Sequence, residues 1–217
     1  MRKVLLIGAG GHAKVVLEFL KKTTDIEIVG LIEKDQSKIG GRLLDLPVIG
    51  ADEQLVPLLN AGATHALITV GSVGDNSIRK KLYDQVQSAG FSFINAVHPL
   101  AVVSGYARLG TGNTLMAGAV VGPDTVIGNN VIVNTGAVIE HDCVIGDHVH
   151  IAPGSKIAGG VRIGSGSFIG IGAVIIQGLT VGENVLIGAG TVVVDNIPDN
   201  AVVFGAPGKI RKYRENK

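Results

Sequence analysis

The sequence contains no tryptophan, a single cysteine and only 4% aromatic residues. With one thiol, Cys143, an intrachain disulfide is excluded. No apolar run approaches the roughly 18 residues of a membrane-spanning helix, and no basic segment leads into a cleavable signal, since Met1-Arg2-Lys3 passes straight into a short apolar stretch. Nor is there an excess of charge of either sign. The 19 basic and 18 acidic residues leave nothing to attract nucleic acid or a membrane surface in bulk. A cytoplasmic protein whose partners are chosen by a site, with no nucleic acid and no membrane among them, is the expectation.

What the chain has instead is glycine, 32 residues of it, together with a strict aliphatic period. From Leu109 through Leu115, Val121 and Ile127 to Ile187 and Val193, an aliphatic residue returns at every sixth position without a miss. A helix has period 3.6 and a strand period 2, so neither accounts for a six sustained this long. A parallel β-helix does: each hexapeptide forms a short strand and a corner, and three make one coil around an axis that the aliphatic residues fill. The residue after the aliphatic one is commonly small, as in Gly110, Gly122, Gly128, Gly146, Gly164, Gly170, Gly182 and Gly188. Corners that require positive φ are the reading for these glycines. The fifth position carries Ala119, Thr125, Val131, Ala137, Cys143, Ser155, Ala173 and Thr191, side chains compact enough for the interior near a corner. Cys143 therefore reads as core packing.

Before the ladder the pattern differs. Lys3 to Ile7, Ile26 to Ile32, His65 to Val70 and Phe91 to Ile94 read as strands, with helical patterns through Val15, Val16, Phe19 and Leu20 and again through Ile78, Leu82 and Val86, the second capped by Asn76 or Ser77. Alternating strands and helices imply a small parallel sheet, a Rossmann-like βαβαβ unit, so the fold class is α/β followed by β-solenoid. Residues 1–98 are assigned to the first domain and 99–217 to the second, with a basic exposed tail after Gly205-Ala206-Pro207-Gly208-Lys209.

Gly8-x-Gly10-x-x-Ala13 follows the first strand and opens the first helix, where backbone amides can approach phosphate. Gly10, Gly11 and His12 are candidate nucleotide contacts. Glu33, at the end of the second strand, could accept from a ribose, and Lys34 could sit near a phosphate. A whole NAD and a purely structural tight turn are the alternatives, the first weakened by Ala13 in place of a third glycine.

Three of the six histidines, His141, His148 and His150, fall within ten residues on corners and outer faces of the solenoid. His141 and His150 are half a coil apart, so on one chain they point in different directions, and a cleft between side-by-side prisms is needed to bring both together. Imidazole suits removal of a proton from an attacking amine or hydroxyl near neutral pH, with Asp142 or Glu140 orienting it. Gly159, one coil on, leaves room for a substrate over the ring. A metal site is the rival reading, disfavoured by the half-coil separation, and a solvent-facing cluster is the bland one; His148 is read as exposed and without a role.

Taken together, Gly8-Ala9-Gly10-Gly11-His12-Ala13-Lys14-Val15-Val16, Asn134-Thr135-Gly136-Ala137-Val138-Ile139-Glu140-His141-Asp142 and Gly205-Ala206-Pro207-Gly208-Lys209 resemble the bacterial sugar acyltransferases that include sialic-acid O-acetyltransferases and nucleotide-aminosugar N-acetyltransferases. The resemblance implies a left-handed β-helix, a homotrimer with active sites between subunits, acetyl-CoA as co-substrate and no metal. It implies His141 as general base with Asp142 raising its basicity, His150 touching acetyl-CoA, and Gly159, Ile171, Gly172, Gly188 and Ala189 along the pantetheine arm. It also places Gly10, Gly11, His12, Glu33, Lys34 and Gly71 around a nucleotide sugar. Acetyl transfer to the amine of a UDP-linked amino sugar, for bacterial surface or extracellular glycan synthesis, is the expected activity. O-acetylation of sialic acid or another sugar hydroxyl, and a trimeric scaffold without catalysis, are the alternatives.

Overall fold

The computed structural model describes residues 1–215; Asn216 and Lys217, the end of the expected tail, lie outside the described residues. The chain forms two units, Met1–Gly71 with Ile78–Ala96, and Ser72–Ser77 with the chain from Val97 onward.

The first unit is built on strands β1 (Arg2–Ile7), β2 (Ile26–Ile32), β3 (Arg42–Leu43), β4 (Leu46–Gly50), β5 (His65–Ile68) and β6 (Ser92–Phe93), in the order β3-β4-β2-β1-β5-β6. Every pair is parallel except β3 with β4. Helices α1 (Gly11–Leu20), α2 (Leu55–Asn60) and α3 (Ser77–Ser88) supply the crossovers. Val4 to Ile7 in β1 is buried without interruption, as expected of a central parallel strand covered on both faces. Each such aliphatic side chain removed from water contributes about 1.5 to 3 kcal/mol. The β3–β4 hairpin and α2 were not legible as a periodic pattern: both are short, and the turn between the strands rests on Leu44 at φ 54°. The capping expectation for α3 is corrected in detail. The Ser77 amide donates to Asp75 Oδ1 at 2.8 Å, while Asn76 points its amide nitrogen away, to Gly166 O at 3.2 Å and Ser167 O at 2.9 Å. The sequence reading also passed over Arg79. It is fully buried and donates to Ile68 O and Val70 O, fixing the chain where it leaves β5, and burial lowers its guanidinium pKa to about 9.

The second unit is a left-handed β-helix of two-residue strands stacked at a spacing of eighteen residues: Ile132 pairs with His150, and His150 with Phe168. Its three faces are sheets of eight, six and five strands. Along the ladder the inward side chains from Leu115 to Val193 are at most 2% exposed and form one continuous core with the fifth-position residues, Cys143 among them.

The reason given above for the small residues after each aliphatic one is wrong, and the structure supplies another. Left-handed φ occurs two residues later, at Asp124 (56°), Asn130 (55°), Asp142 (58°), His148 (59°) and Asn184 (52°), and at glycines such as Gly136, Gly154 and Gly172. The glycines directly after the ladder residue are needed because the next coil approaches them. A Cβ on Gly122 would stand 2.7 Å from His141 N, one on Gly164 2.5 Å from Glu183 N, and one on Gly170 2.6 Å from Ala189 N. Close stacking of coils, and not turn conformation, excludes a side chain there. After the ladder, Ala201–Phe204 and Lys209–Tyr213 pair antiparallel, so the basic stretch is exposed as expected but forms an edge strand. Arg214 beyond it is half-buried, bonded to Asn184 Oδ1 and to Gly74 O. Among the described residues no helix is long and apolar enough to cross a membrane.

Candidate active site

One corner of the solenoid carries His141 and Asp142, directly after the strand Val138–Ile139. The left-handed backbone at Asp142 turns its carboxylate back along the chain, and Oδ2 lies 2.7 Å from His141 Nδ1. A carboxylate only accepts, so in this pair Nδ1 carries a proton, and in the neutral ring Nε2 is then the nitrogen with the free lone pair. Glu140, the other candidate partner, makes no such bond to the ring. Both side chains are more than half exposed, His141 at 61% and Asp142 at 65%. Gly159 sits on the same corner one coil on, and its role differs from the expectation of space for a substrate. A Cβ there would fall 2.6 Å from both Cε1 and Nε2 of His141, so the imidazole itself occupies the room that the missing side chain leaves. Behind the corner, Cys143 is buried with its thiol directed at Ala158 O, 3.2 Å away, and burial raises its pKa, which leaves an inert core group.

His150 lies elsewhere. It stands on the eight-stranded face and, contrary to an outer-surface reading, is only 5% exposed. Its Nδ1 is 2.8 Å from Ser72 Oγ, its Nε2 3.1 Å from Asn134 Nδ2, and its ring meets Phe168 edge-on at 5.0 Å. His148 is not simply exposed either; from its left-handed corner it pairs with Asn130 Nδ2 at 3.0 Å. Ile171, Gly172 and Ala189 come together on a third location, the corner that follows the eight-stranded face, where Gly190 N donates to Ile171 O at 2.8 Å. Ile171 is 60% exposed there. Gly188 is buried, and the ring of Phe204 fills the space over it: a Cβ would be 2.1 Å from that ring, so Gly188 offers no open surface. Within one chain, then, the structure joins His141, Asp142 and Gly159, and separately Ile171, Gly172 and Ala189, but not the two groups with each other or with His150.

In the first unit Gly10 is the N-cap of α1 without any side-chain cap, and neither Gly10 nor Gly11 has an atom within 4 Å of where its Cβ would be, so the backbone here is open to close approach. Gly8 is held at φ 110° against Val70 and serves the fold. Gly71 abuts His12, whose Cβ would lie 3.3 Å from an added methyl. Glu33 is already engaged: Oε2 accepts from Ala9 N at 2.9 Å and Oε1 from Asp35 N at 3.2 Å, with Lys38 Nζ 3.5 Å away. Burial pushes the carboxyl up, but those bonds and the Lys38 charge outweigh it, leaving its pKa below the ordinary glutamate value. Lys34 is exposed, and the cations that line the adjoining cavity of about 250 Å³, with Ala9 and Ser37, are Lys38 and Arg42. Sequence reasoning missed both: Arg42 belongs to the hairpin it did not detect, and Lys38 to the short 3-10 turn Gln36–Lys38 that precedes it. A cavity of about 980 Å³ on the second unit, lined by Asn184, Leu186, Phe204, Tyr213 and Arg214 among others, contains none of the expected residues. Among the described residues no group of three or more His, Cys, Asp or Glu side chains could hold a metal.

Comparison with known proteins places both units. Residues 3–86 match the PglD N-terminal domain, and residues 124–159 and 160–195 match the bacterial transferase hexapeptide of six repeats. The chain is similar over 98% of its length, and 98% of the relative's, to perosamine N-acetyltransferase from Caulobacter crescentus, solved in complex with CoA and GDP-perosamine, at 40% identity and a TM-score of 0.90. It is similar over 96% of its length, and 98% of that chain, to the acetyltransferase domain of PglB from Neisseria gonorrhoeae in complex with acetyl coenzyme A, at 39% identity and a TM-score of 0.84. A curated relative, UDP-N-acetylbacillosamine N-acetyltransferase of Bacillus subtilis, is 35% identical over 118 residues, and the match spans about half of that relative, 52% of its length. With a PglD-type first unit, a hexapeptide solenoid and these full-length likenesses, the chain belongs to the bacterial sugar N-acetyltransferases of the hexapeptide-repeat family.

Proposed function

We propose that the protein transfers the acetyl group of cytoplasmic acetyl-CoA to the amine of a nucleotide-linked amino sugar, UDP-linked in the first instance, with His141 as general base. The observation that carries this is the 2.7 Å bond between His141 Nδ1 and Asp142 Oδ2, which leaves Nε2 of the neutral ring, beside Gly159 on an exposed corner, to take a proton. The sugar amine attacks the thioester carbonyl, Nε2 takes the proton the amine sheds, backbone amides hold the oxyanion, and collapse breaks the C–S bond with the proton passing to the CoA thiolate. No cysteine takes part. The open amides of Gly10 and Gly11, with Lys38 and Arg42 beside Ala9, are assigned to the nucleotide diphosphate. The product serves bacterial surface or extracellular glycan synthesis.

The site is proposed to form between copies in a homotrimer. His141 with Gly159, and Ile171 with Gly172 and Ala189, occupy two corners of one prism, so a groove holding acetyl-CoA against both needs a second prism. The six-stranded face between those corners presents Val102, Val120, Val138, Val174 and Val192, with Lys156 the one charge in the row, an apolar stripe suited to a second copy. A thiol-release assay with acetyl-CoA across UDP- and GDP-linked amino sugars tests the activity. His141→Ala lowers kcat by about two to four decades while the solenoid stays folded; a variant with near-normal turnover refutes the assignment.

A further inference from the structure

Thr125 is one of the compact fifth-position residues of the ladder, fully buried at the end of its corner. One coil later, 18 residues on, stands Cys143, which ends the corner carrying His141 and Asp142. The middle of that corner is tied to the coils on either side: Asp142 N donates to Pro123 O at 3.0 Å, and Gly160 N to His141 O at 2.9 Å. Its two ends are joined differently. Where a corner closes on itself, its last amide donates to its first carbonyl, as Ala137 N does to Asn134 O and Ala173 N to Gly170 O, both at 3.0 Å. In the His141 corner the hydroxyl of Thr125 stands between those two groups. Cys143 N donates to Thr125 Oγ1 at 3.3 Å, and Thr125 Oγ1 donates to Glu140 O at 2.7 Å.

A corner closed by its own bond needs nothing from the coil before it. A corner with a hydroxyl inserted takes its width from that hydroxyl, and Glu140 and Cys143 are the residues on either side of His141 and Asp142. The bond from His141 Nδ1 to Asp142 Oδ2 joins adjacent residues, so its geometry follows the turn that carries both. Without the hydroxyl, a buried amide and a carbonyl lose their partner, and closing Cys143 N onto Glu140 O is the way to satisfy both. The turn then narrows beneath the pair. The same insertion occurs at a corner with no proposed reacting group: Ser167 Oγ donates to Gly182 O at 2.8 Å and accepts from Val185 N at 2.9 Å. That second clamp separates what the hydroxyl does for the fold from what it does for the base.

We infer that Thr125 is a positioning residue for acetyl transfer: its hydroxyl, inserted between Glu140 O and Cys143 N, holds the corner at the width that sets His141 against Asp142. The inference rests on His141 being the general base. It adds no contact with either substrate.

The test compares hydroxyls. Thr125→Val keeps the shape of the side chain and removes the hydroxyl, and kcat in the thiol-release assay falls about tenfold, less than the hundredfold of a 1 Å misplacement. KM for acetyl-CoA and for the nucleotide amino sugar each stay within about twofold, because no ligand contact is lost. Ser167→Ala lowers the melting temperature by a similar few degrees and leaves kcat unchanged. Thr125→Ser and Thr125→Ala remove the same methyl, so a kcat about tenfold higher for Thr125→Ser isolates the hydroxyl even where Thr125→Val folds poorly. The inference is overturned if Thr125→Val keeps the kcat of Ser167→Ala, if Thr125→Ser and Thr125→Ala turn over equally fast, or if the loss lies in KM alone. An inactive wild-type chain, or a fully active His141→Ala, refutes the functional reading and the inference with it. A slow His141→Ala beside a fully active Thr125→Val refutes the inference alone.

Discussion

Gly159→Ala isolates the geometry of the proposed base from its chemistry. The added methyl would stand 2.6 Å from Cε1 and Nε2 of His141 and 3.1 Å from Nδ1, whereas carbon contacts settle at about 3.5 to 4.0 Å. The ring must therefore shift by about 1 Å or rotate off its seat, and it is free to do so because His141 is an exposed side chain. The backbone at Gly159 is not left-handed, so alanine introduces no conformational strain, and the solenoid should keep its melting temperature to within a few degrees. A misplacement of about 1 Å in a reacting group costs on the order of a hundredfold in rate. The expected result is a kcat roughly a hundredfold lower in the thiol-release assay, KM for acetyl-CoA nearly unchanged, and a wild-type denaturation profile. A rise in KM for acetyl-CoA with kcat preserved would return Gly159 to the role of lining the pantetheine arm. Unchanged kcat and KM together would refute the idea that Gly159 seats the imidazole of a working base.

Asp142→Gly replaces a left-handed aspartate by the residue that adopts φ 58° without cost, so it should stabilise the fold by up to about 1 kcal/mol in urea denaturation while turnover collapses for want of the carboxylate on Nδ1. Gly170→Ala places a methyl 2.6 Å from Ala189 N in the next coil and should destabilise the solenoid by about 3 kcal/mol, more than Gly172→Ala, where alanine meets only open space and a strained φ of 64° costing about 1 kcal/mol; chemical denaturation of the two variants gives the order. The Glu33 carboxyl has a folded pKa below its unfolded one, so its stabilisation is present above about pH 4 and is lost as pH falls through the depressed value. Glu33→Gln should accordingly lower stability by about 1 kcal/mol at pH 7 and by progressively less as pH falls below about 4, as read by melting across that range.

The unbroken six-residue ladder was enough to predict the solenoid, because each inward residue reports the same local environment coil after coil. The left-handed positions were present in the same letters, Asp124, Asn130, Asp142, His148 and Asn184 alternating with glycines three residues after each ladder residue. They were overlooked because glycine serves two different needs within one hexapeptide, conformational freedom at one position and clearance for the next coil at the other. What the sequence could not disclose is contact across long separations. Ser72 and His150 are 78 residues apart, and no local pattern marks either as buried or bonded. Lys38 and Arg42 were missed for a related reason: they belong to a three-residue 3-10 turn and a two-residue strand, both too short to show a period.

The corner that carries His141 shows how chemistry is added to a repeating fold at a defined cost. Most corners of this solenoid have glycine, asparagine or aspartate in the left-handed position, and at Asn130 and Asn184 the side chain extends the hydrogen bonding between neighbouring coils, to His148 and Asn200. At Asp142 the side chain turns instead to His141 within its own corner, and gives its hydrogen-bonding capacity to the ring. The next coil responds with Gly159, whose missing side chain leaves the seat in which the imidazole lies, and Gly160 N still donates to His141 O at 2.9 Å, so the stacking of coils continues through the site. The ladder holds the backbone of these positions at a fixed spacing whatever their outward side chains are. A change at Asp142 or Gly159 can therefore act on the orientation of one imidazole while leaving the core that supports it intact, which is why stability and turnover should separate in these variants.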